Sequence, residues 1–147
     1  MKRTSLDDAD CPIARALDVI GDWWSLLIVR DAFFGLRRFG EFHKSLGMAK
    51  NILTVRLKSL VASGILEAVP AADGSAYREY VLTPKGRELF PVLVALRQWG
   101  AKHQFPDQPC TIELLDREKS EPIPPLELRA ADGRRLTPAD TMIRIRA

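Results

Sequence analysis

The side chains with the widest chemical repertoire in this chain are few: Cys11, Cys110, His43 and His103. Cys11 stands directly before Pro12, where a helix is expected to begin. At such a place the helix dipole and the unpaired backbone N–H groups favour a thiolate, the nucleophilic and oxidisable form. The neighbouring Asp7, Asp8 and Asp10 oppose it. Two roles stay open for Cys11, a reactive thiol and a small cap residue. No CxxC pair exists for zinc, and two cysteines make no disulfide scaffold. Cys110 and His103 supply two ligands, short of the four of a tetrahedral metal site. A Gly-rich phosphate loop and a nucleophile elbow are both missing. Neither Cys11 nor His43 therefore reads as a catalytic group, and no enzyme, metal or cofactor is expected.

A second set of residues offers a different chemistry, the recognition of double-stranded DNA. Lys50, Asn51, Thr54, Val55 and Lys58 fall on one side of a helical stretch whose other side is Leu53, Leu57, Leu60 and Val61. Asn pairs bidentately with adenine, Lys reaches guanine or phosphate, and Thr and Val meet a thymine methyl. Arg37 and Arg38 precede the short helix before it, in position to clamp phosphate, and Arg78 lies beside an expected hairpin turn. Each of these alone serves equally well as a solvated surface group. Their order along the chain is what carries weight.

Charge distribution agrees. The net charge is only +3, from 22 basic and 19 acidic residues. Residues 1–29 hold three basic and five acidic side chains, whereas residues 30–63 hold seven basic and two acidic ones. A basic surplus confined to one helical stretch is the footprint of a phosphate-facing surface.

The elements that must position these groups follow from periodicity and punctuation. Residues 12–20 predict a helix with Cys11 as N-cap and Pro12 at its first position. Asp22 caps a second, apolar nearly all round from Trp23 to Phe33, which is expected to be central and buried. A short helix is expected over about 39–45, a tight turn at Gly47, and a longer helix over about 49–63. Residues 65–69 and 77–82 predict two strands, with the turn signal Asp73–Gly74 between them. Thr83–Pro84 opens a helix expected to run unbroken to about His103, with an apolar stripe of Leu89, Val92, Leu93, Leu96 and Trp99. Beyond Phe105–Pro106 the prolines cluster, and two stretches, 115–123 and 128–136, resemble each other: an apolar end, a charged turn, another apolar end. They predict a small β appendage of one or two hairpins, with a partly ordered tail as the alternative.

The fold class expected is mainly α with small β, a winged helix-turn-helix, plus a small C-terminal β appendage. Residues 1–106 form the DNA-binding and dimerisation domain in this reading, and 107–147 the appendage. No apolar run approaches the ~20 residues that span a bilayer. The opening residues lack the apolar core of a secretory signal, so a cytoplasmic protein without membrane contact is expected.

Three stretches also carry a resemblance: CPIARALDVIGDWWSLLIVRDAFFGLRRFGEF, LGMAKNILTVRLKSLVASGILE and YREYVLTPKGRELFPVLVALRQWG. Together they cover about residues 11–100, and GLRRFGEF followed by NxLxxRLxxLxxxGxL is specific. The sequence resembles the HxlR family of bacterial winged-helix regulators. The resemblance implies a dimeric repressor or activator, with the helix from Ala49 reading DNA and with dimer contacts from the first and last helices. Ile13, Leu17, Leu89, Val92, Leu96 and Trp99 are the candidates for those contacts, a pure core role being the other reading. In some members a cysteine before this proline senses electrophiles or oxidants, in some pairing across the dimer. Here that implies Cys11, with Cys110 as the available partner. The last forty residues lie outside the family pattern. Alternatives are a winged-helix module that binds protein rather than DNA, and a regulator that answers a small-molecule inducer without redox sensing; Trp23, Trp24 and Trp99 offer aromatic surface, but no ligand is assigned.

Overall fold

A computed structural model describes residues 4–146; Met1–Arg3 and Ala147, read above for charge and domain bounds, lie outside the described residues. The order is α1 (Pro12–Ile20), α2 (Trp23–Phe33), α3 (Phe39–Leu46), α4 (Lys50–Ala62), β1 (Leu66–Pro70), β2 (Arg78–Leu82), α5 (Pro84–Arg87) and α6 (Phe90–His103), then a 3-10 turn at Pro138–Asp140. By contact density the chain divides between Leu93 and Val94 into two compact units.

In the first unit the ends of α2, α3 and α5 are fixed by local chemistry. Asp22 accepts from the Ser25 N–H at 2.9 Å, closing the N-terminus of α2. Glu41 accepts from the Arg37 and Arg38 N–H groups at 3.1 and 2.9 Å, which fixes the entry to α3. Gly47 ends α3 with φ +66, a left-handed conformation that costs a side chain strain but suits glycine. Ile28 and Val29 of α2, Phe42 of α3, Leu53, Leu57 and Leu60 of α4, and Leu66 of β1 form one buried cluster. α2 is central as expected, with one correction: Trp23 is 80% exposed, while Trp24 packs on the cluster. The Trp23 and Trp24 rings meet in a T-shaped arrangement, with centroids 6.2 Å apart.

β1 and β2 form an antiparallel pair in the register Leu66↔Leu82 to Pro70↔Arg78. The connecting loop runs over residues 71–77, and Gly74 within it has φ +76. Thr83 caps α5 by accepting from the Gly86 N–H at 3.0 Å. Gly86 is needed by close approach: a Cβ there would lie 2.2 Å from the Ile65 carbonyl oxygen.

The unbroken helix expected from Pro84 to His103 is instead two helices, α5 and α6, separated by a turn at Glu88 and Leu89. Pro91 is the cause. It has no N–H to return to the Arg87 carbonyl, and its ring crowds that carbonyl. The chain closes the gap with a tighter bond, Leu89 N–H to Gly86 O at 3.1 Å, and restarts with Leu93 N–H to Leu89 O at 3.0 Å.

In the second unit the last turns of α6 and the chain beyond are tied by Gln98. Its amide donates to the Pro124 carbonyl at 2.9 Å and accepts from the Leu126 N–H at 2.8 Å. Two small hairpins follow the two similar stretches of sequence, with bridges Leu115↔Pro122 and Arg129↔Arg135. Asp116 and Asp132 tighten their turns by accepting from the Glu118 and Arg134 N–H groups, and Gly133 takes φ +93.

Candidate nucleic-acid interface

α3, the turn at Gly47 and α4 are positioned by what α4 buries. Leu53, Leu57 and Leu60 are buried, at intervals of four and three residues, which commits that face to the core. Lys50, Asn51, Val55 and Lys58 are then exposed together on the remaining face. Thr54 is half-buried, and its hydroxyl donates to the Lys50 carbonyl at 2.9 Å. That donor is therefore used within the helix, leaving the oxygen lone pairs and the methyl group for any outside contact. Arg56 faces the other way: its guanidinium lies 3.4 Å from the Asp22 carboxylate, linking α4 to the cap of α2.

The two arginines ahead of α3 are held by the wing. Arg37 donates to Glu79, a buried side chain on β2. Arg38 pairs with Asp73 in the wing loop and lies 3.9 Å from Glu79. The Arg37 carbonyl also accepts from the Tyr80 N–H at 2.7 Å, which ties the entry of α3 to β2. Glu79 ties β2 to the entry of α3 and to the β1–β2 loop, since it also accepts from the Ala72 N–H at 2.9 Å. That bond first, and Arg37 second, hold its carboxyl below the usual carboxylate range. The Ser75 N–H, followed by Arg38, holds Asp73 down to about 2, and Asp73 in turn raises the affinity of Arg38 for its proton. Glu79 and Asp73 were not anticipated as functional residues. Tyr80 and Leu82 pack on the core, so alternation along β2 puts position 79 on the other face, and the cation that meets its acid there comes from 42 residues away. Arg78 is exposed opposite Pro70, at the end of the β ladder nearest the loop.

The other candidates fall as follows. Cys11 is an exposed free thiol that caps α1 without a side-chain hydrogen bond. Cys110 is a half-buried free thiol in the second unit whose Sγ lies 3.5 Å from the Ile112 carbonyl. Ile13 and Leu17 on α1, and Val92, Leu96 and Trp99 on α6, are exposed in the single chain. Leu89 instead packs against the buried cluster of the first unit. His43 stacks near Phe39 at 6.4 Å, and His103 lies 5.3 Å from the Trp99 ring. Among the described residues no group of three or more His, Cys, Asp or Glu is arranged to hold a metal ion.

Comparison with known proteins places this architecture. Residues 19–108 match the family model described as HxlR-like helix-turn-helix. An uncharacterized HTH-type transcriptional regulator of Mycobacterium tuberculosis is 44% identical over 91 residues, covering 62% of this chain and 58% of that protein. The chain thus spans less than two thirds of the length of the mycobacterial relatives. A counterpart in Synechocystis sp. is 35% identical over 109 residues, 74% of this chain and 80% of its own. The crystal structure of PA1607, a candidate transcription factor, superposes with a TM-score of 0.92 at 56% identity, over 96% of this chain and 99% of that one. The redox regulator HypR in its reduced form superposes with a TM-score of 0.60 at 30% identity, over 65% of this chain and 95% of its own. A winged helix-turn-helix head, the family model and relatives of this kind agree, and the chain belongs to the HxlR-like helix-turn-helix family of transcription regulators.

Proposed function

We propose that the protein is a sequence-specific, dimeric DNA-binding regulator that inserts α4 into the major groove. One observation carries this reading: α4 buries Leu53, Leu57 and Leu60 and leaves Lys50, Asn51, Val55 and Lys58 exposed together. Asn51 and Lys58, with Thr54 and Val55, read base edges, while Lys50 neutralises phosphate. Arg78 and the wing loop follow the backbone beside them. Arg37 and Arg38 stand half-committed, since each is ion-paired with a wing carboxylate and still partly exposed. They position the wing in the free protein and offer their remaining N–H groups to phosphate in the complex. Residues 1–106 act as the DNA-binding and dimerising part, and 107–147 as the appendage.

Affinity for operator DNA then falls with salt at a log–log slope of about −0.9 for each neutralised phosphate. Lys50→Ala lowers that slope by about one unit and weakens all sequences alike. Asn51→Ala costs roughly 1–3 kcal/mol on the operator and relaxes preference at one base pair. Binding that is independent of both sequence and salt would overturn the reading and favour a protein-binding module.

The dimer face in this proposal is the exposed apolar surface of α1 and α6, with Ile13, Leu17, Val92, Leu96 and Trp99. Two heads then read half-sites about one helical turn, ~34 Å, apart. A stable monomer at micromolar concentration by light scattering would contradict it. The regulatory signal in the same reading is thiol oxidation at Cys11, supported by its exposed position at a helix start and by the likeness to HypR. Two thiols would each lose a proton and an electron to the oxidant to form a disulfide, with Cys110 as the second. If Cys11→Ser responds to diamide as the parent does, the signal lies elsewhere, and a small-molecule inducer takes its place.

A further inference from the structure

Beyond Leu93, Val94 is the only buried apolar side chain among the described residues, and many large ones are exposed. The most exposed are Met142, Ile143 and Ile145, at 85%, 90% and 86%. They follow the Pro138–Asp140 turn, and Thr141 leads into them with extended backbone, φ −122 and ψ 156. Among the described residues, no backbone hydrogen bond reaches Met142 through Arg146. On this unpaired backbone Ile143 and Ile145 fall on one face and Met142, Arg144 and Arg146 on the other, the pattern of a strand without its sheet.

The same unit holds a segment of complementary pattern. Ile112–Glu113–Leu114–Leu115 leads into the first hairpin, where the Leu114 carbonyl accepts from Ile123 and Leu115 bridges Pro122. The N–H groups of Ile112, Glu113 and Leu114 donate to no backbone carbonyl among the described residues. Laid antiparallel with Glu113 opposite Arg144, this segment sets Ile112 opposite Ile145, Leu114 opposite Ile143 and Leu115 opposite Met142. Apolar side chains then meet apolar ones, and the acid meets a base. A slip of one residue either way sets Glu113 against an isoleucine, so the pattern selects one register.

We propose that Met142–Arg146 is an exchange strand that pairs with Ile112–Leu115 of a second copy of this chain. The proposal rests on the dimer reading above. Gln98, which fastens Pro124 and Leu126 to α6, lies between Leu96 and Trp99, so the receiving unit is anchored to the helix that carries the dimer face. Two equivalent arms exchanged in this way close with twofold symmetry.

The test uses full-length chains carrying Cys11→Ser and Cys110→Ser, so that no native thiol remains. One tagged copy carries Ile112→Cys, a differently tagged copy carries Ile145→Cys, and the two are co-expressed and oxidised with diamide. A covalent heterodimer is expected, at a yield at least about tenfold above that of a control pairing Ile112→Cys with Arg144→Cys, whose side chains fall on opposite faces. A yield equal to the control overturns the proposal. So does closure within one chain when Ile112→Cys and Ile145→Cys are combined and the protein is diluted. Light scattering on the unmodified chain separates the two readings: a dimer without the cross-link removes the exchange strand alone, and a monomer removes the dimer as well. Independently, Arg144→Glu with Arg146→Glu raises the dimer dissociation constant about tenfold, and Glu113→Lys in the partner copy restores it. No change in the first arm, or no restoration in the second, also overturns the pairing.

Discussion

From Trp23 to Leu93 the chain buries Phe42, Leu53, Leu57, Leu60 and Leu66 in one cluster, and its helices and hairpin are arranged around them. From Val94 onward cohesion comes from another source: the Gln98 bonds, two turn aspartates and a left-handed glycine. The first region is specified by apolar periodicity and fits a self-contained domain. The second is specified by turn chemistry and leaves most of its large apolar side chains exposed, which suits a surface made to be covered. The functions assigned to the two follow from this. In the proposed reading a packed core positions the exposed edge of α4 for DNA, whereas an uncovered strand is available to a second copy.

The difference can be broken or sharpened by substitution. Leu57→Ala removes a fully buried side chain from the cluster and should cost about 2–5 kcal/mol in urea unfolding, whereas Leu128→Ala in the appendage should cost less than ~1. Equal costs would mean that the appendage has a core of its own. Gly86→Ala drives a methyl group onto the Ile65 carbonyl, and a loss of roughly 1–3 kcal/mol is expected at the junction of β1 and α5. A smaller change would mean that α5 can shift freely.

The wing tests the same contrast at the level of charge. Asp73 and Glu79 both have carboxyls held below their ordinary values. A carboxyl lowered in the folded state adds stability above its unfolded value, near 4, and that stability is lost as pH falls through the folded value. The protection of the Ala72 and Ser75 amides against exchange should therefore fall between about pH 4 and 2, ahead of that at Leu57. Glu79→Gln should bring on faster exchange at Ala72 already at neutral pH. Last and smallest, Gln98→Ala removes two exposed hydrogen bonds and should cost about 1 kcal/mol or less in global unfolding. Its larger effect is expected in faster exchange at Leu126.

Much of the head was legible in the residues. Gly47, the spacing of Leu53, Leu57 and Leu60, and Thr83–Pro84 each act within one turn of helix, where sequence distance and spatial distance agree. The exposed edge of α4 follows from its buried face by geometry alone. The appendage hairpins were legible for a similar reason, because Asp116, Asp132 and Gly133 make local turns. The break at Glu88–Leu89 was also written locally, in Pro91, but an apolar stripe that continued past it masked the signal.

Other features had to wait for the folded chain. That Arg37 and Arg38 meet Glu79 and Asp73, rather than only solvent, depends on bringing β2 beside the entry to α3. The same holds for Arg56 at the cap of α2, and for Leu89 in the core while Val92 is exposed. The sequence by itself determined which residues form each helix and turn, since those choices rest on neighbours a few positions away. Only the tertiary structure decided which charges are already paired and which apolar side chains are left uncovered, because pairing and burial are set by approaches across dozens of residues.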